Sequence, residues 1–142
     1  MLLIDVNILI GAHRTDHPQH GCARKWLEEL IASTEQFSIP SVVLSGFVRV
    51  STSPSIFNQP SSLDQAFDFL AALLAQPNCV TPHSGTRFNE IFRQTCVDHD
   101  VWGNLVSGAF LAAHAIEIGA GIASFDRDFS RFTNLKWVNP AD

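Results

Sequence analysis

Two short apolar runs in this 142-residue chain lead into aspartates: LLI at 2–4 runs into Asp5, and IASF at 122–125 runs into Asp126. Each is too short for a helix and reads as a buried strand, while the stretches between them carry helical periodicity. Strands that alternate with helices at short spacing need crossover connections, so the sheet is expected to be mainly parallel with helices on both faces. Ligands of such sheets bind outside the carboxyl ends of the strands. Asp5, Asn7, Asp126 and Asp128 therefore stand where chemistry is expected.

The remaining segments fill this frame. A helix is expected from Asn7 toward His13, and a second from near Pro18 with Trp26, Leu27, Leu30 and Ile31 as its apolar stripe. FSIP (37–40) is a strand candidate. SVVLSGFVRVSTS predicts a helix entered after Pro40, although its valines make a strand the competitor. Residues 53–62 have the proline and serine density of a loop, and a helix over Leu63–Gln76 follows with Ser61 or Ser62 as its cap. NCVTP reads as a strand, GTRFNEIFRQTCVDHD as mostly helix, and Asn104–Ile118 as a helix ended by the glycines of 119–121. KWV is the last strand. No repeat or linker divides the chain, so a single domain over 1–142 is expected.

Nine Lys and Arg against fourteen Asp and Glu give a net charge of −5, which excludes a protein that holds nucleic acid through a broad basic field. A polyanion would have to be held locally or through a metal. Arg14, Arg49, Arg127 and Arg131 are the cations nearest the strand-end acids in the sequence. No apolar run reaches the ~18 residues of a membrane span and no leader pattern is visible, so a soluble, cytoplasmic protein is expected. Cys22, Cys79 and Cys96 are too few and too scattered for a disulfide framework or a zinc site. His13, His17 and His20 read as surface residues, and His114, in the apolar stretch AAHAIE, as a packing residue.

Carboxylates converging from two strand ends repel unless a cation is shared between them. Mg²⁺ or Mn²⁺ takes hard oxygen ligands and activates water against a phosphodiester. The competing reading is that Asp5 or Asn7 caps the helix that follows it and Asp126 caps the turn DRDFSRF.

LLIDVNILIGAH, IPSVVLSGFVRVST, GNLVSGAFLAAHAIEIGAGIASFDRDFSRF and LKWVNP together resemble the PIN-domain family, and within it the VapC-type ribonuclease toxins of bacterial toxin–antitoxin pairs. The resemblance runs over nearly the whole chain. It implies a three-layer α/β sandwich on a five-stranded, mainly parallel sheet, and a Mg²⁺- or Mn²⁺-dependent endoribonuclease. It further implies a homodimer neutralised by a VapB-type antitoxin. Its first acid falls on Asp5, with Asn7 as polar neighbour; its fourth falls on Asp126, with Asp128 as a weaker ligand. Its second acid falls near Gly46 and its third on Gly108, so two usual carboxylates are missing. Asn104, one turn before Gly108, would offer a neutral oxygen instead.

Two functions follow from the resemblance. One is an active endoribonuclease with Asp5 and Asp126 as catalytic metal ligands. The other is the same fold with a disabled metal site, retaining antitoxin binding. A phosphatase of the haloacid dehalogenase type also begins with a strand followed by Asp, but needs a second Asp where this chain has Asn7.

Overall fold

The computed structural model describes residues 1–142. Its elements run β1 (Leu2–Ile4), α1 (Val6–His13), α2 (His20–Ala32), β2 (Phe37–Ser38), α3 (Ser41–Ser51), α4 (Leu63–Leu74), α5 (Phe88–Asp98), α6 (Val106–Ile118), β3 (Gly121–Ala123) and β4 (Trp137–Val138). Short 3-10 turns over Gly103–Leu105 and Arg127–Arg131 precede α6 and β4.

The strand order is β2-β1-β3-β4, and every pairing is parallel. The chain leaves β1 toward one edge and β3 toward the other, so the topological switch point lies between these two strands. Leu2 pairs with Gly121, Leu3 with Ile122 and Ile4 with Ala123. That register brings Asp5 alongside Ser124, just beyond the carboxyl ends.

The sheet has four strands, where the resemblance implies five. NCVTP contributes only a single parallel bridge, Cys79 to Phe37, at the β2 edge. It is flanked by Pro77 and Pro82, which lack the amide hydrogens a longer ladder needs. The bonds that form are Phe37 N to Asn78 O and Val80 N to Phe37 O, at 3.0 and 2.9 Å.

The valine-rich segment at 41–51 is helical because Val43, Phe47 and Ser51 fall on one buried face at intervals of four. Ser62 caps α4 in a reciprocal box with Gln65. The helix expected from Asn104 instead opens as a 3-10 turn and becomes α-helical at Val106. Its end is set by Gly119, whose φ of 69° is a left-handed conformation costly for other residues. β1, β3, α1 and α6 supply much of a continuous core of 27 buried apolar residues. No helix is long and apolar enough to cross a membrane.

His13 is not the surface residue expected from the sequence. Its ring packs against Phe47 and Phe69, with centroids 5.4 and 4.9 Å away, and its Nε2 shares a 2.8 Å hydrogen bond with Ser61 Oγ. Burial, and secondarily the Arg14 cation, lowers its pKa below 6.5. His114 is buried as expected, bonded to Ser84 Oγ at 3.1 Å, and burial lowers its pKa against an opposing pull from Glu117.

A depressed histidine pKa means that the unfolded chain binds more protons than the folded one. Stability is therefore lost as pH falls from about 6.5 toward the folded values. The melting temperature is expected to fall between about pH 7 and pH 5, and His13→Gln is expected to flatten part of that fall. An equally steep fall in His13→Gln would remove His13 as a cause.

Candidate active site

Beyond the carboxyl ends of β1 and β3 opens a cavity of roughly 610 Å³. The strand ends supply Asp5 and Asp126; α1 supplies Asn7, α3 supplies Gly46 and Arg49, and α6 supplies Ser107 and Gly108. Ile56 and Phe57, from the loop after α3, close an apolar side. Arg14 holds that loop: its guanidinium lies 4.1 Å from the Phe57 ring centroid and donates to Ser61 Oγ at 3.2 Å.

Asp5 is the most tightly built residue of the site. Oδ1 accepts from Val6 N at 2.7 Å, capping α1, while Oδ2 accepts from Ser124 Oγ at 2.6 Å and Asn7 Nδ2 at 3.2 Å. The cap and the strand-end acid are therefore one residue in two roles. Burial raises its carboxyl above the ordinary aspartate value. The Ser124 and Val6 hydrogen bonds oppose that rise, and the nearby Asp126 charge adds to it. Three of roughly four acceptor positions on the carboxylate are filled, which fixes its orientation and leaves one open.

Asn7 is held as firmly, with both amide hydrogens and one acceptor position of Oδ1 in use. Its Nδ2 also donates to Ser124 Oγ at 3.0 Å and its Oδ1 accepts from Phe125 N at 3.1 Å, so it locks α1 to the end of β3. Ser124 is fully buried; its hydroxyl donates to Asp5 and accepts from Asn7 and from Asp126 N at 3.0 Å. This serine, absent from the sequence-based candidates, joins both strand-end acids. The available signal was a small polar residue inside an apolar strand two positions before Asp126.

Asp126 is exposed, and its Oδ1 accepts from Asp128 N at 2.9 Å, capping the 3-10 turn. Its Oδ2 makes no protein hydrogen bond. Asp128 does not line the cavity; its carboxylate faces Arg131 at 3.8 Å. Asn104 is also off the cavity wall, because the 3-10 turn before α6 breaks the helical spacing that would stack it on Gly108. The structure thus gathers Asp5, Asn7, Gly108 and Asp126, and leaves Asp128 and Asn104 outside.

The two glycines differ sterically. A Cβ at Gly108 would meet nothing within 4 Å, whereas one at Gly46 would lie 2.9 Å from Val6 Cγ2. Packing gives no reason for glycine at 108, where it weakens the helix by about 1 kcal/mol relative to alanine.

The PIN-domain family profile matches residues 2–135. Ribonuclease VapC43 of Mycobacterium tuberculosis is 42% identical over 142 residues, covering 100% of this chain and 97% of the relative. Ribonuclease VapC25 of the same species is 39% identical over 140 residues, 99% of each chain. Among solved structures, VapBC2 from Rickettsia felis, bound to a DNA fragment from its promoter, superposes with a TM-score of 0.68 at 21% identity, covering 97% of both chains. The likeness runs over the full length of the chain, and this chain belongs to the PIN-domain family, in its VapC ribonuclease branch.

Proposed function

We propose that this protein is a metal-dependent endoribonuclease of the toxin type, cleaving RNA phosphodiester bonds at the Asp5–Asp126 cavity. The observation that carries the reading is the fixed pair of carboxylates at the switch point, in a chain about 40% identical to named ribonucleases over its full length.

The donor set suits Mg²⁺ or Mn²⁺. It consists of hard carboxylate oxygens with open positions on Asp5 and on Asp126 Oδ2, and no cluster of three His, Cys, Asp or Glu side chains occurs anywhere in the chain. Mg²⁺ commonly keeps several waters and is held by one or two carboxylates, so two acids are a sufficient anchor. Asp5 and Asp126 would hold such a cation, which would supply a water of lowered pKa and a positive charge to offset that of the phosphate.

The chain's own part is orientation. Ser124 and Asn7 fix the Asp5 carboxylate, Ser124 ties Asp126 to the same point, and the wall of Ile56 and Phe57 limits water around the reacting phosphate. Asn7 is assigned an orienting role and Asp128 none beyond the turn it belongs to. A VapB-type antitoxin as partner, a homodimeric state and action in the cytoplasm complete the reading.

The test is cleavage of a mixed RNA pool by the purified full-length chain. Cleavage is expected with Mn²⁺ or Mg²⁺, abolished by EDTA and restored by excess Mn²⁺. Cleavage that persists unchanged in EDTA would overturn the metal dependence, and no cleavage under any of these conditions would overturn the enzyme.

A further inference from the structure

The cavity that carries two carboxylates must also receive a phosphate, and both acids repel it. The net charge of −5 supplies no compensating field. Of the four arginines that lie near the strand-end acids in the sequence, three are engaged elsewhere. Arg14 binds Asp16 through Nε and a terminal nitrogen at 2.9 and 2.7 Å; Arg127 binds Asp142 at 2.8 Å; Arg131 lies 3.8 Å from Asp128. Arg49 makes no ion pair and no side-chain hydrogen bond, and it is the one of the four that lines the cavity.

Its freedom has a local cause. Residues three and four apart on a helix are neighbours, and those before Arg49 are Gly46 and Ser45, neither of them an acid that could form an ion pair with it. Val42, Val50, Ile56 and Phe57 give the cavity apolar walls on the same side. Arg49 is exposed beside these walls, so its guanidinium keeps all its N–H groups available for a charge-assisted bond to a phosphate entering the cavity.

We propose that Arg49 is the substrate-phosphate ligand of this cleft, its N–H groups donating to the non-bridging oxygens of an RNA phosphate from the α3 wall. The assignment rests on the endoribonuclease reading. Two other roles are available to the same residue. It stands in the last turn of α3, where a cation favours the helix dipole, and it borders an apolar groove lined by Phe67, Leu70 and Leu74, where a protein partner's acid would meet it. Neither role explains why it alone of the four lines the cavity unpaired.

The experiment compares the full-length chain with Arg49→Ala, Arg49→Lys and, as a control away from the cavity, Arg127→Ala. Binding of a fluorescein-labelled single-stranded oligoribonucleotide is followed by anisotropy in EDTA over a range of salt, and cleavage kinetics are measured with Mn²⁺. Arg49→Ala is expected to weaken binding by roughly tenfold or more and raise KM. It should reduce the slope of log K against log salt by about 0.7, the contribution of one phosphate contact on a single strand. Arg49→Lys should keep the slope and recover part of the affinity, and Arg127→Ala should match the parent. If the parent cuts RNA and Arg49→Ala equals it in affinity, slope and KM, the assignment is overturned. The same holds if Arg49→Ala loses only thermal stability or only affinity for a protein partner. A parent that neither binds nor cuts RNA fails the endoribonuclease reading itself, and the assignment falls with it.

Discussion

Asp5→Asn is expected to lower the rate of RNA cleavage by about a thousandfold while leaving the fold intact. The loss follows from removing one of only two carboxylates available to a cation. The fold survives because Asn caps a helix about as well as Asp, so the bond from Val6 N to Oδ1 is kept. The amide nitrogen would replace Oδ2, and the Ser124 hydroxyl, which already accepts from Asn7 and from Asp126 N, has no acceptor position left for it, so that hydrogen bond is lost. The weak 3.2 Å contact from Asn7 Nδ2 then becomes donor against donor. Against these costs stands relief of a carboxylate held in an unfavourable place, raised in pKa by burial and by Asp126. Stability is expected to fall by about 1–3 kcal/mol, with the fold retained. Cleavage assays paired with thermal melts check both halves. A variant that cuts RNA within a few-fold of the parent would remove Asp5 from the chemistry, and one that is inactive because it is unfolded would show at once in the melt.

Gly108→Asp is expected to tighten Mn²⁺ binding by at least about tenfold and to raise cleavage at limiting metal in proportion. The position faces the cavity, and a Cβ there meets nothing within 4 Å, so the carboxyl needs no rearrangement to enter. It is the third residue of α6, where an acid favours the helix dipole and where losing glycine gains a few tenths of a kcal/mol. Without metal, a third carboxylate beside Asp5 and Asp126 offsets those gains by repulsion. The signature is therefore a wider gap between the melting temperatures in Mn²⁺ and in EDTA. If the gap and the Mn²⁺ affinity match the parent's, position 108 does not reach the cation and the resemblance that places an acid there has been carried too far.

The strand-end acids were legible because two features coincide in the sequence: a short apolar run and an acid at its end. No knowledge of distant contacts is needed to place Asp5 and Asp126 at one edge. The helix at 41–51 was legible despite its valines because the interval of four between Val43 and Phe47 is helical whatever the local propensity. What was not legible depended on which partner each side chain takes and on local turns. Arg49 could not be distinguished from Arg14, Arg127 and Arg131 until Asp16, Asp142 and Asp128 were seen to occupy the others. His13 looked like a surface residue because Ser61 and Phe69, which enclose it, lie about fifty residues away. Asp128 and Asn104 were misplaced for a local reason: both belong to or adjoin 3-10 turns, whose three-residue period carries side chains away from where an α-helical or strand spacing would put them.

The parallel pairing of β1 with β3 also determines which changes in chain length the site can absorb. Asp5 and Ser124 are 119 residues apart, yet their juxtaposition depends only on the three paired positions behind them. Surface loops such as the one at 82–87 can lengthen or shorten without altering the distance between the acids. A deletion of one residue between Gly121 and Ser124 acts differently: it inverts the facing of every side chain beyond it, turning Ser124 away from Asp5 and pointing an apolar neighbour at the carboxylate. Variation in length should therefore collect between α3 and α6 in related chains, with the four residues from Gly121 to Ser124 held invariant in number.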